Sequence, residues 1–421
     1  MREYKMKNRK RIVMLFLALL PTGLMVCGAA TGGQKDGTDK LTVRVSNPDR
    51  MQRQEVMGVD VMQVYTSLGA KAGTPLVVWN ALGQEVASQV TYDGLLLMDA
   101  SVRPLGTAEF TVSVGQPSPY ESVCTGRQYP ERVDDIAWEN DRTAYRIYGP
   151  ALQRNKERAF GVDVWVKNTP ELEVEKRYNT ELSNHPRIEQ LKAEGKNDEA
   201  VLVEQLTTYH YDHGRGLDCY KVGPSLGGGA PALMNGEQLI LPYCYRDYEI
   251  CDNGPLRFTV HVTYHPTTIN GQGGVVEHRI ISLDKGSNFN RCTVWYEGLQ
   301  KTERLAMGIV VHEEEQNDLL TAQDMVLYAD PTDNPAKQNF QIYVGVLFPE
   351  GVAETCKLMN KTPENGIAGH AVGITDYEPG TRYTYYFGSA WSKNDVRTFN
   401  EWRLRAEETL HALKEPLRIE H

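Results

Sequence analysis

The fold is decided by the stretch Arg257-Phe258-Thr259-Val260-His261-Val262-Thr263-Tyr264, in which polar and apolar side chains alternate. A period of two predicts a β-strand with one buried face and one polar face. Similar stretches recur along the second half of the chain, at residues 275–282, 291–297, 306–312, 341–348 and 381–387. Many strands of similar length, separated by polar turns, are typical of a large antiparallel β-sandwich. We therefore predict such a domain for residues 120–421.

Residues 40–115 predict a second, smaller β-sandwich in front of the large one. Its expected strands lie at residues 41–45, 76–79, 85–92, 95–98 and 108–114. The sequences Asn80-Ala81-Leu82-Gly83 and Tyr92-Asp93-Gly94 supply turns between them. Gln116-Pro117-Ser118-Pro119 is expected to be a stiff linker, because prolines at this density favour an extended chain.

Two helical segments interrupt the β pattern. Residues 184–206 predict a helical insertion that starts at Pro186 and bends at Gly195-Lys196-Asn197. Residues 399–413 have apolar side chains spaced among charges, which predicts an amphipathic C-terminal helix that Pro416 ends.

The N-terminal segment predicts export. A positively charged stretch, residues 2–11, precedes a short apolar core at residues 12–20. A core this short is typical of a signal peptide and not of a membrane span. Because Cys27 follows it as in a bacterial lipobox, we expect residues 1–27 to be a lipoprotein signal peptide and residues 28–39 a flexible tether. The mature chain would then be anchored by a lipid to a bacterial membrane. We expect this to be the outer membrane, with the chain on its periplasmic or cell-surface face. Ordinary secretion with a coincidental Cys27 is the alternative.

The net charge and the cysteine spacing argue against nucleic-acid binding and against a structural zinc site. The net charge of -10 argues against a nucleic-acid partner, because phosphate binding requires a basic face. The six cysteines after Cys27 lack zinc-finger spacing, which argues against a structural zinc site. Whether they form disulfides or remain thiols stays open at this point. They are Cys124, Cys219, Cys244, Cys251, Cys292 and Cys356.

The densest group of reactive side chains is Tyr209-His210-Tyr211-Asp212-His213-Gly214-Arg215-Gly216-Leu217-Asp218. A glycine-rich run, residues 223–229, follows it closely. Such density favours a binding or catalytic segment carried on a rigid scaffold. As a strand, the segment would place its first histidine and Asp212 on one face, and both tyrosines and the second histidine on the other.

Residues 143–148 are expected to form another strand of functional interest. Alternation places Arg142 and Arg146 on one face, where each guanidinium would grip a carboxylate with two hydrogen bonds. An exposed face paired with neighbouring acidic residues is the alternative. Trp138 offers a flat apolar face for a sugar ring, although tryptophan side chains also pack in cores.

Three segments carry a family resemblance. They are Trp138-Glu139-Asn140-Asp141-Arg142 with Tyr145-Arg146-Ile147-Tyr148-Gly149-Pro150, the stretch from Tyr209 to Asp218 with its glycine run, and Tyr385-Tyr386-Phe387-Gly388-Ser389-Ala390-Trp391. They resemble an uncharacterised lipoprotein family, catalogued as a domain of unknown function, from glycan-degrading bacteria of the Bacteroidetes type. More distantly, the domain order resembles exo-rhamnogalacturonan lyases, whose large domain is the supersandwich of galactose mutarotases. The resemblance implies a mainly β protein with a small N-terminal β-sandwich, a large antiparallel β-supersandwich, a helical insertion and a C-terminal helix.

The first functional hypothesis is an enzyme acting on acidic, uronate-containing glycans. In a lyase, His210 or His213 would remove the proton next to the carboxyl group, because imidazole titrates closest to neutral pH. Tyr209 or Tyr211 would protonate the leaving oxygen. Arg215, with either arginine of the earlier strand, would hold the uronate.

Other hypotheses remain open. In a glycoside hydrolase, Asp212 and Asp218 would be the acid and base candidates. A non-catalytic glycan-binding lipoprotein and a mutarotase-like or epimerase-like sugar enzyme are further alternatives. We expect no metal, because His-x-Asp-His is not an established metal spacing. We expect no cofactor, because the glycine run lacks the lysine and helix pattern of nucleotide binding.

Overall fold

The computed structural model describes residues 39–312, 318–331, 339–364 and 366–420. Thr38–His421 forms one compact unit. The predicted signal peptide with Cys27, and residues 28–38 of the predicted tether, lie outside the described residues. No helix within the described ranges is both long enough and apolar enough to cross a membrane.

The predicted small β-sandwich is confirmed. Its elements are β1 (Lys40–Ser46), β2 (Arg53–Asp60), α1 (Val61–Ser67), β3 (Leu76–Asn80), β4 (Glu85–Val86), β5 (Ser88–Val90), β6 (Leu95–Val102) and β7 (Thr107–Val114). One antiparallel sheet contains β1, β7, β3 and β4, and the other contains β2, β6 and β5. Val43 of β1 and Met98 of β6 are fully buried in the core between the sheets. The sequence analysis did not predict β2 and α1.

The C-terminal strand joins this small sandwich. After the large domain, β27 (Arg418–Glu420) pairs with β1 in antiparallel register, and Val45 lies opposite Ile419. Leu417 is buried in the same small core. The predicted domain division between residues 115 and 120 stays a prediction, because all of these contacts lie within one compact unit.

The large domain is the antiparallel sandwich that the alternating stretches predict. Its strands are β8 (Thr125–Tyr129), β9 (Asp135–Glu139), β10 (Thr143–Ile147), β11 (Asp163–Lys167), β12 (Gly216–Asp218), β13 (Pro231–Asn235), β14 (Gln238–Ile240), β15 (Tyr245–Asn253), β16 (Arg257–Tyr264), β17 (Thr267–Ile269), β18 (Gln272–Asp284), β19 (Phe289–Glu297), β20 (Glu303–Val311), β21 (Leu319–Ala322), β22 (Met325–Asp330), β23 (Ile342–Leu347), β24 (Glu354–Glu364), β25 (Ile367–Tyr377) and β26 (Tyr383–Trp391).

Three sheets enclose the core of the large sandwich. The widest sheet has the order β15-β16-β18-β19-β26-β23-β22-β21, with β17 paired to β18. The others have the orders β12-β11-β10-β9-β8 and β14-β13-β20-β25-β24. Alternating side chains of β16, such as Phe258 and Val260, are fully buried in one core with Val164 of β11 and Leu305 of β20. The period of two thus places apolar side chains inside, as predicted.

The helical insertion is longer than predicted and begins earlier. It consists of α3 (Val174–Ala193) and α4 (Asn197–Thr207), so the predicted bend at residues 195–197 is confirmed. Pro186 does not start the helix but lies within α3. The helix starts upstream because the carboxylate of Glu139 accepts the N–H groups of Glu173 and Val174 at 2.7–2.9 Å, which satisfies donors at the helix N-terminus.

The predicted C-terminal helix is confirmed as α5 (Phe399–Lys414); a short α2 (Pro150–Arg154) follows β10. Thr398 caps the start of α5 by accepting a hydrogen bond from the backbone N–H of Glu401. Trp402 is fully buried against β22 and β23 and donates from Nε1 to the carbonyl of Val344 at 3.1 Å. α5 therefore covers part of the outer face of the widest sheet.

The question left open for the cysteines has an answer in the described chain. Within the described ranges, none of these six cysteines is disulfide-bonded. Cys244 and Cys251, which would have closed the shortest loop, stay unpaired. The stability of the described fold thus comes from packing and polar contacts.

The glycine run is explained by close packing. At Gly229 the backbone has φ +141°, and a Cβ atom would lie 2.2 Å from Cβ of Phe387 in β26. The carbonyl of Gly229 accepts a hydrogen bond from the hydroxyl of Tyr385 at 2.8 Å. Residues 227–229 thus thread between two sheets at a point where a side chain does not fit.

Replacing Gly229 with alanine is expected to lower the free energy of unfolding by roughly 3 kcal/mol or more, because the new methyl group meets Phe387 and the backbone is strained. Gly236→Ala is the matched control, because Gly236 also has a positive φ but no neighbour within 4 Å of a Cβ. Its expected loss is about 1 kcal/mol. Urea denaturation of both variants measures the difference, and equal losses would show that packing at Gly229 is unimportant.

Candidate functional site

The polar segment that the sequence singles out is a loop and not a strand. Residues 208–215 connect the end of α4 to β12, which begins only at Gly216. The predicted alternation of faces is therefore wrong. Its physical cause is the Asp212 carboxylate, whose Oδ1 accepts the N–H groups of Gly214 at 2.8 Å and Gly216 at 3.0 Å. Both glycines have positive φ, which lets the chain turn around this carboxylate.

Beneath this loop lies a buried group of charges, which we call the Arg146 cluster: Arg146, Asp135, Asp163 and Asp218. These residues occupy the face of the β8–β12 sheet that α3 covers. Nη2 of Arg146 lies 2.5 Å from Asp163 Oδ2 and 3.0 Å from Asp218 Oδ2, and Nη1 lies 3.8 Å from Asp135 Oδ2. One guanidinium thus faces three carboxyl groups.

The carboxyl groups of the cluster do not all ionise in the usual range. Burial raises the pKa of Asp135 to about 6, against the opposing effects of Arg146 and Arg132. Burial also raises the pKa of Asp163, and the nearby Asp218 carboxylate adds to the rise. Burial acts to lower the pKa of Arg146, but its carboxylate partners, Asp163 first, raise it well above the ordinary value. The arginine therefore stays charged.

His210 lies at the outer edge of the Arg146 cluster. Its Nδ1 is 3.1 Å from the backbone carbonyl oxygen of Asp218 and 3.8 Å from Asp218 Oδ2. About half of the side chain, 52%, is exposed. Nδ1 donates to the carbonyl when the ring is neutral, which leaves the lone pair on Nε2. Nε2 has no partner among the described residues, so it faces solvent.

Tyr209, the neighbour of His210, has the opposite environment. Its ring is buried and stacks on Trp165 with 4.7 Å between centroids. Its hydroxyl accepts a hydrogen bond from Nε of Arg132 at 2.9 Å. Tyr209 therefore anchors the loop, and His210 rests against it with 4.6 Å between ring centroids.

The remaining loop residues also differ in whether neighbouring residues contact their side chains. Tyr211 is 54% exposed. Nε2 of the exposed His213 contacts the carbonyl of Thr208 at 2.9 Å, so this histidine closes the loop on itself. Arg215 is half exposed and pairs with Glu171 and, at 3.0 Å, with Glu173. His210 and Tyr211 are thus the two loop side chains with an exposed polar end that no described residue engages.

The segment after β26 ties the loop to α5. Lys393 forms an ion pair with Oδ2 of Asp212. Two residues later, Asp395 Oδ2 pairs with Nη1 of Arg142 at 2.5 Å and with Nη2 of Arg405 at 3.2 Å. Arg142 and Arg146, predicted to grip one ligand, therefore each have acidic partners of their own.

Trp138 lies in the core. It is fully buried, stacks between Tyr145 and Phe258, and donates from Nε1 to Oδ1 of Asn290 at 2.8 Å. The core alternative considered for Trp138 therefore describes its position. Among the predicted site residues, the structure brings together His210, Tyr209, Asp218 and Arg146, and separates them from Trp138.

Asp135, Asp163 and Arg132 were not among the predicted site residues. Asp163 carried a signal, because it is a charge that shares the strand face of Trp165 beside the apolar Val164 and Val166. A charge in a strand pattern does not identify its partner, and here the partner lies on another strand. Within the described ranges, no three His, Cys, Asp or Glu side chains are arranged to hold a metal ion.

The sequence of this chain is similar to a protein family and to an individual relative. The sequence profile of the family described as "Domain of unknown function (DUF4861)" matches residues 45–419. "Uncharacterized protein P7" of Formosa agariphila is 26% identical over 307 residues, which are 70% of this chain and 69% of that protein.

Two solved structures are distantly similar. An alpha-mannosidase from Enterococcus faecalis V583 has a TM-score of 0.46 and 9% identity, covering 91% of this chain and 46% of that chain. A protein of glycosyl hydrolase family 38 from Enterococcus faecalis has a TM-score of 0.47 and 9% identity, covering 91% of this chain and 47% of that chain. The present chain spans about half the length of these structures.

The raised pKa of Asp135 predicts a pH-dependent stability. A carboxyl group that binds its proton more tightly in the folded protein stabilises the fold fully below a pH of about 4, and loses this effect as the pH rises through about 6. The free energy of unfolding of the wild type should therefore fall, relative to Asp135→Asn, by on the order of 3 kcal/mol between these limits. Urea denaturation at pH 4 and pH 7 measures this. Asp198→Asn, on the exposed side of α4, is the control, and parallel curves for all three proteins would contradict the expectation.

Proposed function

This chain belongs to the DUF4861 family, and we propose that it is a carbohydrate-active enzyme that cleaves acidic, uronate-containing glycans by β-elimination. The observation that carries this proposal is the setting of His210. Its ring is oriented by the Asp218 carbonyl at 3.1 Å, and its second nitrogen faces solvent at the surface of a loop. This is the arrangement that a general base requires.

The proposed reaction uses two exposed side chains of one loop. Nε2 of His210 takes the proton from the carbon next to the uronate carboxyl group. The electron pair of that C–H bond forms a carbon–carbon double bond, and the neighbouring C–O bond to the leaving sugar breaks. Tyr211, 54% exposed, protonates the leaving oxygen. The products are an unsaturated uronate and a free sugar hydroxyl.

The geometry favours elimination over hydrolysis by paired carboxyl groups. Asp218 is 2% exposed and held by Arg146, while Asp212 is engaged by two backbone N–H groups and Lys393. Both carboxylates therefore hold the loop in place and have little capacity left for a substrate. A hydrolase that used them would have to break these contacts first.

Binding of the uronate carboxylate is assigned to Arg215. It is half exposed and belongs to the same loop as His210. Of its present partners, Glu171 is exposed and Glu173 is buried, so a substrate carboxylate would replace Glu171, whose solvent-exposed ion pair is worth little. Arg146 stays inside the cluster, where it orients Asp218.

The cellular site is part of the proposal. The positive stretch, the short apolar core and Cys27 support export and a lipid anchor on a bacterial outer membrane. An exported protein meets polysaccharides before they are degraded, which agrees with a role in glycan use.

The proposed base is tested by His210→Gln, which keeps a polar side chain of similar size and removes the basic nitrogen. The wild type should release products that absorb in the near ultraviolet from a pectic or glucuronate-containing glycan. The variant should lose roughly 10²–10⁴-fold in rate. His185→Gln, an exposed histidine on α3, should leave the rate unchanged.

Three outcomes would redirect the proposal. New reducing ends without ultraviolet absorption would indicate hydrolysis. Glycan binding without any product across a broad glycan panel would indicate a binding lipoprotein. Full activity of a folded His210→Gln protein would exclude this histidine as the base.

A further inference from the structure

A cleft of about 570 Å³ lies between β2, the widest sheet and α5, and we call it the α5 cleft. Its size is within the range of small-molecule sites. Neither His210 nor Arg215 lines it. Charged side chains of both signs line it.

Part of this charge is already neutralised. Arg53 contacts Asp49, Glu55 and two carbonyl oxygens of the α5 end. Arg257 grips Asp284 with two hydrogen bonds of 2.5 and 2.8 Å. Lys285 pairs with Asp99 at 2.6 Å, and His411 contacts Asp49 at 2.8 Å. These groups build the walls of the cleft and are not available to a ligand.

Three guanidinium groups remain incompletely paired. Arg142 and Arg405 share a single carboxylate oxygen, Oδ2 of Asp395, and Nη1 of Arg405 also donates to Oδ1 of Asn288 at 2.7 Å. Nε of Arg142 is buried and has no hydrogen-bond partner among the described residues. Arg291 is exposed and forms no ion pair or side-chain hydrogen bond within the described ranges. Asp395 thus balances only one of the three positive charges.

The cleft also contains an aromatic side chain and an opposing charge. Tyr386 of β26 lies opposite Arg291 of β19 in the sheet register and is partly exposed. Glu408 of α5 lines the cleft, is exposed, and has no ion pair among the described residues. The three guanidinium groups and Glu408 are thus the charged groups of the cleft that its internal ion pairs leave at least partly unsatisfied.

The geometry points to the α5 cleft as a binding site for an acidic saccharide. The carboxylate lies between Arg291 and the Arg142–Arg405 pair, where guanidinium groups grip carboxylates through paired hydrogen bonds. The sugar ring lies against Tyr386, whose flat apolar face suits it. The nature of the ligand rests on the proposed function, whereas the site itself is separate from His210.

The test measures binding of digalacturonate by titration calorimetry to a protein that carries His210→Gln, so that no substrate is consumed. Arg291→Gln in this background should weaken binding about tenfold, because a charge-assisted hydrogen bond is lost. Glu408→Gln should tighten binding about threefold, because a repulsive charge is removed. Opposite effects of two neutralising changes are not expected from general damage to the fold.

The controls lie outside the cleft. Arg187→Gln on α3 and Glu407→Gln, whose carboxylate pairs with Arg403 on the same helix, should leave the affinity unchanged. The neutral disaccharide lactose should bind at least tenfold more weakly than digalacturonate. Sodium sulfate that binds as tightly as digalacturonate would show an anion site without saccharide recognition and would overturn the inference.

The two proposals fail in different ways. If Arg291→Gln and Glu408→Gln both bind with unchanged affinity while the wild type still releases product, the proposed binding site in the α5 cleft is wrong and the proposed reaction stands. If the affinities change as expected but the wild type never forms an unsaturated product, the proposed reaction is wrong and the proposed binding site stands.

Discussion

A buried arginine surrounded by three carboxyl groups is the constraint on which the functional side of the molecule depends. Arg146 of β10 reaches Asp163 of β11, Asp218 of β12 and, at a longer distance, Asp135 of β9. Removing one partner of a buried charge typically costs about 3–5 kcal/mol. The strands β9–β12 and the helix α3 that covers them are therefore stable only together. The Asp218 strand brings the preceding loop with it, and this holds His210 at the surface.

The helical insertion has a matching role. Its first turn is held by Glu139, which also accepts a hydrogen bond from the buried Lys167 at 2.6 Å. Tyr178 of α3 packs on the rings of Trp165 and Tyr209 and thereby excludes water from the Arg146 cluster. Burial raises the pKa values of Asp135 and Asp163, and part of this burial is supplied by the insertion, which lies between Asp163 and Asp218 in the chain. The carboxyl pKa values of the Arg146 cluster therefore depend on the folding of the insertion.

Much of the sandwich could be predicted from the sequence, because a period of two along β16 or β18 is caused by burial of one face. The site could not be predicted equally well. Residues 208–215 contain alternating residue types, but one carboxylate, Asp212, bends the chain by accepting two backbone N–H groups. Pro186 indicated a helix start, whereas the true start depends on Glu139, a residue 34 positions before Glu173. Trp138 illustrates the same limit, since its burial results from neighbours on other strands. Contacts between distant segments decide such details, and a single sequence does not display them.

The pairing of β27 with β1 has a consequence for biosynthesis. The first sheet of the compact unit is completed by residues at its far end, Arg418–Glu420. While the chain emerges from the ribosome, β1 therefore keeps an unpaired edge until Arg418–Glu420 have been made. Exposed strand edges are templates for wrong association, so this interval is a vulnerable stage of folding. The small sandwich is thus completed only after the large domain that follows it in the chain.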